Sequence, residues 1–102
     1  RLLYKKGVDI LKTINIKIPL DIAQDLDDRA RLNPQWLTSF IIYHWSNVKQ
    51  VIDKPVEGLT SNYSFKVEDY IHKMVKLKSV ELDLPMNELL GRLLQQYYKV
   101  GR

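Results

Sequence analysis

Thr13-Ile14-Asn15-Ile16-Lys17-Ile18-Pro19 is the stretch on which the fold turns. Polar and β-branched apolar residues alternate without a break from 13 to 18, the period-2 signature of a strand with one buried face. Pro19 is expected to end that strand and to sit in the first turn of a following helix, where its missing N–H costs nothing. From Leu20 to Leu32 the spacing changes. Ile22, Leu26 and Ala30 recur every four residues, and Asp21, Asp25, Asp27 and Asp28 crowd the early turns, where carboxylates suit the helix dipole. Asn33-Pro34 breaks this helix, because a residue before proline is pushed out of the α region. A second helical pattern runs from about Gln35 to Ile52. Leu37, Ile41, Trp45, Val48 and Ile52 form its stripe, and Phe40 and Ile42 widen it. Residues 53–61 carry Pro55 and Gly58 and read as a connector.

The order then recurs. Asn62-Tyr63-Ser64-Phe65-Lys66-Val67 alternates again; Glu68 and Asp69 open a helix with Ile71, Met74, Val75 and Leu82; Leu84-Pro85 interrupts it. A last helix from Met86 to about Val100 carries Leu89, Leu90, Leu93, Leu94 and Tyr97. Sliding the chain by 49 residues superposes the halves without a gap, so that Asn15 falls on Ser64, Lys17 on Lys66, Ile22 on Ile71 and Ile41 on Leu90. A lone strand and two short helices leave a ladder unpaired. Two such units can pair their strands antiparallel over four helices. Ile14, Ile16, Ile18, Tyr63, Phe65 and Val67 then face the helices, and Thr13, Asn15, Lys17, Asn62, Ser64 and Lys66 face outward together.

Composition sets the outer bounds. The 102 residues make one domain, with 45% hydrophobic and 27% charged residues, a globular balance. The absence of cysteine excludes disulfides, thiol nucleophiles and cysteine-ligated zinc. The longest apolar run, around Phe40 to Tyr43, is far short of a membrane span. No signal-peptide core opens the chain, so a cytoplasmic address is expected, and the start at Arg1 fits a piece of a longer protein. The formal charge of +4 is unevenly spread. Arg1, Lys5, Lys6, Lys12 and Lys17 face a single Asp9 in the first 19 residues, a basic concentration that suits a polyanionic partner.

Two strand-helix-helix units with this alternation resemble the ribbon-helix-helix (Arc/MetJ/CopG-type) DNA-binding proteins. Asn15-Ile16-Lys17-Ile18-Pro19 is similar to the strand and helix start of an Arc-type repressor, and Leu84 to Gly101 to the second helix of CopG-type members. The likeness covers roughly residues 12 to 101. It implies a mainly α fold with a two-stranded antiparallel ribbon, both units in one chain as a tandem pseudo-dimer. The expected division is a basic arm at 1–12, repeats at 13–52 and 62–102, and a linker at 53–61. The implied partner is double-stranded DNA, with the ribbon in the major groove. The expected base readers are Thr13, Asn15, Lys17, Asn62, Ser64 and Lys66, with Asn15 suited to adenine and the lysines to guanine. Phosphates would be held at the second helix of each unit by Leu37, Thr38, Met86 and Asn87, with Lys12 as a further contact. Trp36 and Pro85 depart from the family pattern, which favours a small capping residue there, and Pro85 lacks a donor.

Other readings of the same residues lead elsewhere. Trp36, Tyr43 and Trp45 at helical spacing suit a core or an interface better than a base-stacking platform. Trp36 or Tyr43 is also the expected contact for self-association on adjacent half-sites. His44 and His72 have no partner at a catalytic or metal-ligand spacing. The sequence contains no glycine-rich phosphate loop, no His-Glu-x-x-His and no nucleophile beside a base. The expectation is therefore a transcriptional regulator, not an enzyme, with no cofactor, no metal, no membrane and no small-molecule substrate. The alternative is a protein-interaction module, an antirepressor or host-factor inhibitor, on the same scaffold.

Overall fold

The computed structural model describes residues 11–98. The basic arm over residues 1–10 and the final residues 99–102, where the last helix was expected to reach Val100, lie outside the described residues. The chain is mainly helical with one two-stranded antiparallel sheet. In order it forms β1 (Leu11–Pro19), α1 (Leu20–Leu32), α2 (Trp36–His44), a 3-10 helix (Trp45–Val51), β2 (Thr60–Glu68), α3 (Asp69–Leu82) and α4 (Met86–Tyr97).

Both strands run further than their alternation indicates. β1 takes in Leu11, Lys12 and Pro19, and β2 takes in Thr60, Ser61 and Glu68, so the connector shrinks to residues 52–59 and the helix after β2 opens at Asp69. Pro19 is tolerated in the strand because it sits at the terminal pair, opposite Thr60, with an extended ψ of 144°. The register sets Thr13 opposite Lys66, Asn15 opposite Ser64 and Lys17 opposite Asn62. Residues 49 apart in sequence therefore lie symmetrically about the Asn15–Ser64 pair.

The pattern from Gln35 to Ile52 is not one continuous α-helix. It tightens at Trp45 into 3-10 geometry, whose three residues per turn stack side chains three apart. That repeat puts Trp45, Val48 and Val51 on one line, where the two valines bury against Leu89 and Leu93 in a satellite core. α1 stops as its spacing implies, with Asn33 extended before Pro34. α3 ends on Asp83 in the left-handed region (φ 57°), with Asp83 N–H on Val80 O and Leu84 N–H on Ser79 O, the paired bonds of a Schellman motif. α4 ends at Tyr97, and Tyr98 is already extended.

The main core lies between the ribbon and the helices. Ile14, Ile16, Ile18 and Val67 are buried against Ile22, Leu26, Ile41, Ile71, Val75, Leu90 and Leu94. Tyr63 and Phe65 share the inner parity but are only half-buried, since α4 lies chiefly across β1. Gly91 makes that approach: a Cβ there would overlap the Lys17 carbonyl oxygen. Three side-chain ties fix the helices. Tyr98 donates its phenol to Asp25 and accepts from Arg29 Nε at 2.7 Å, and the Arg29 guanidinium lies 5.0 Å from the Trp36 ring centre. Arg92, nearly buried, donates to the carbonyls of Val51 and Ile52 and to Glu88 Oε1 at 2.9 Å. Gln95 and Glu57 exchange two bonds of 3.0 Å, which clamp the connector to α4.

Candidate nucleic-acid interface

The outer face of the ribbon is built by parity alone. Residues 13, 15 and 17 on β1 and 62, 64 and 66 on β2 point away from the core, and all six are exposed. From Thr13 to Lys17 the face is about 14 Å long at a rise of about 3.4 Å per residue, and its two rows lie about 4.8 Å apart. A duplex rises about 3.4 Å per base pair along a strand, so the face matches roughly four base pairs. Lys17 and Lys66 stand at diagonally opposite corners, and neither makes an ion pair among the described residues.

The centre of this face holds a contact that residue-by-residue reading missed. Ser64 donates its hydroxyl to the Asn15 side-chain oxygen across the ribbon. The amide oxygen has a second lone pair, and both N–H donors stay available. Asn15 can therefore still present one acceptor and one donor to a base edge, now with its orientation held by Ser64. The register was the missing signal: only residues directly opposite each other can pair in this way.

Lys12 does not belong to this face. It shares the inner parity of Ile14 and Ile16, and at the end of the strand it turns toward α3, with Nζ 3.8 Å from Asp69 Oδ1. Lys12 stays exposed there, and its ion pair with Asp69 lies at the surface. The same parity rule could have placed it from sequence. On the outer side, the last ribbon pair brings Glu68 opposite Leu11.

The starts of α2 and α4 supply the other donors. In α2 the Trp36 N–H is taken by Asn33 O at 3.0 Å and the Ser39 N–H by Gln35 O at 3.0 Å. In α4 the N–H groups of Glu88 and Leu89 both go to Pro85 O, at 3.1 and 2.9 Å. Leu37, Thr38, Met86 and Asn87 keep the first-turn N–H groups that meet no acceptor among the described residues. Neither helix has a side-chain cap. The capping position of α2 is Gln35 rather than Trp36; in α4 it is Pro85, whose missing N–H leaves Met86 and Asn87 as donors. The Asn87 side-chain oxygen is buried without a partner.

The aromatic residues divide by burial. Trp36 is half-buried, stacking on Phe40 at 5.2 Å and meeting Tyr98 edge-on at 5.3 Å. Trp45 packs against both cores. Tyr43 is 80% exposed. His44 stacks on Tyr97 at 4.8 Å, and burial holds its imidazole below the usual histidine range. Beside β2 a cleft of about 300 Å3 opens between Tyr63 and Asp27 of α1. Burial lifts the Tyr63 phenol above its ordinary value, and the Asp27 charge adds to the effect. No helix among the described residues is long and apolar enough to cross a membrane. No known protein family, curated protein or solved structure matches the chain.

Proposed function

We propose that the chain is a tandem ribbon-helix-helix protein, a pseudo-dimer in which one polypeptide supplies both strands, and that it binds double-stranded DNA sequence-specifically as a non-enzymatic transcriptional regulator. The observation that carries the reading is the symmetry of the exposed polar face. Thr13 and Asn62, Asn15 and Ser64, and Lys17 and Lys66 are equivalent under the 49-residue slide and sit in opposed places about the ribbon centre. A two-stranded ribbon fits the major groove, about 12 Å wide. The two lysines then reach guanine O6 and N7 near the ends of a four-base-pair patch, on opposite strands, and Asn15 meets the middle. Two pairs of first-turn N–H groups without an acceptor among the described residues, on the buried Leu37 and Thr38 and the half-buried Met86 and Asn87, suit phosphates at helix starts and would fix the register of the docking.

The reading is tested by titrating a labelled duplex at increasing salt. Log affinity is expected to fall linearly with log salt, each neutralised phosphate contributing about −0.9 to the slope. Binding that ignores salt, or no binding at all, would overturn it in favour of a protein partner.

A further inference from the structure

The outer faces of α1 and α3 occupy equivalent places in the two units, yet their chemistry is opposed. On α1 the face carries Asp21, Gln24, Asp27, Asp28 and Arg31, all exposed. At the positions 49 residues later, α3 carries Tyr70, Lys73, Lys76, Leu77 and Val80. Tyr70 is 63% exposed, Leu77 71% and Val80 73%. At the ends of the α3 face, Asp69 is taken up by Lys12 and Lys73 and Glu81 by Lys49 and Lys78. Four lysines thus pair with two carboxylates, and Lys76 makes no ion pair among the described residues. Among the described residues, the exposed acids of the α1 face meet one cation, Arg31, in an exposed pair to Asp28 at 3.8 Å, while Asp25 and Arg29 pair with each other and turn inward to Tyr98.

We infer that the α3 face of one molecule docks on the α1 face of a second copy of this chain. The charge signs select that occupant. Lys73 and Lys76 meet Asp21, Asp27 and Asp28, and the apolar ridge of Tyr70, Leu77 and Val80 lies along the Gln24 side of α1 and the methylene stems of its long side chains. A self-paired α3–α3 contact would bring lysines onto lysines, and an α1–α1 contact aspartates onto aspartates. The interface is therefore heterologous. A pair keeps one unused face of each kind, α1 on one molecule and α3 on the other, so the contact propagates head to tail instead of closing. The three apolar side chains expose on the order of 400 Å2, the size of a functional patch. A contact of about 800 Å2 counting both partners falls below the size of a stable complex, so association is weak and grows with concentration.

Sedimentation velocity on the full chain at low salt, from micromolar to high micromolar concentration, tests the inference without DNA. Three proteins are compared: the unaltered chain, Asp27→Lys with Asp28→Lys to block α1, and Leu77→Asp with Val80→Asp to block α3. All four positions are exposed, so folding is expected to survive. Should a double variant unfold, Asp28→Lys and Val80→Asp alone carry the same comparison. The unaltered chain is expected to sediment faster as concentration rises, and less so at high salt. Each variant alone is expected to stay monomeric, while their equimolar mixture forms one-to-one dimers and nothing larger. A monomeric unaltered chain, self-association of the α1-blocked variant alone, or a mixture that fails to dimerise would each overturn the inference.

Discussion

Gly91→Ala sets two physical effects against each other. In a helix interior the exchange gains about 1 kcal/mol from propensity. The geometry at α4 opposes that gain, because the new Cβ would overlap the Lys17 carbonyl oxygen, with the Lys17 carbonyl carbon at 3.3 Å and Val56 Cγ2 at 3.4 Å. Overpacking costs about 1–3 kcal/mol, and the obstacle here is strand backbone, with no rotamer to yield, so the upper end applies. The net expectation is a loss of about 2 kcal/mol, or roughly 10 °C in melting temperature for a domain of this size. Urea unfolding followed by circular dichroism measures it, with an unchanged m-value as the sign that the transition stays two-state. A variant as stable as the parent, or more stable, would mean that α4 does not lie against β1 at Gly91, and the packing beneath the ribbon would have to be redrawn.

Other consequences concern the two faces of the ribbon and the tie at Tyr98. Ile16→Ala removes a fully buried side chain and is expected to cost about 2–5 kcal/mol, whereas Asn15→Ala, on the exposed face, stays within about 0.5 kcal/mol in thermal denaturation. Phe65→Ala is expected to cost less than Ile16→Ala, since Phe65 is half-exposed. The Tyr98 phenol is pushed up to about 12 by burial and by its bond to Asp25, against the opposing pull of Arg29. A raised value stabilises the fold fully below the unfolded tyrosine value, about 10, and that stability is lost as pH climbs toward 12. Tyr98→Phe is expected to be less stable at neutral pH and to show a shallower loss across that alkaline window; parallel curves for the two proteins would contradict the tie.

The element order was legible because the chain switches cleanly between period 2 and period 3.6. Ile14, Ile16 and Ile18 announce one face of β1, and Ile22 and Leu26 the inner face of α1. The stop at Asn33-Pro34 followed from backbone sterics alone. The 3-10 segment was missed because Trp45, Val48 and Ile52 also fit an α-helical stripe; only the three-residue spacing of Trp45, Val48 and Val51 separates the two, and the satellite core decides it. Strand ends at Leu11 and Glu68 were hidden because pairing, not alternation, sets how far a ladder runs. The ties of Tyr98 to Asp25 and Arg92 to Ile52 join residues 73 and 40 apart, and no local pattern carries such distances. On the candidate interface, parity placed the six outward residues and also sets Lys12 off that face. The Asn15–Ser64 bond needed the register, and the open N–H groups at Leu37, Thr38, Met86 and Asn87 needed the helix starts to be located to the residue.

The central claim is sequence-specific reading of duplex DNA by the ribbon, and selection of bound fragments from a random duplex pool tests it most directly. The full chain is expected to enrich a short, nearly palindromic motif of about four base pairs with guanines toward its ends on opposite strands, as two diagonal lysines require. Lys17→Ala is expected to relax the preference at one end and Lys66→Ala at the other, while the rest of the motif persists. A pool that stays random, or a motif unchanged by either lysine variant, would contradict the account.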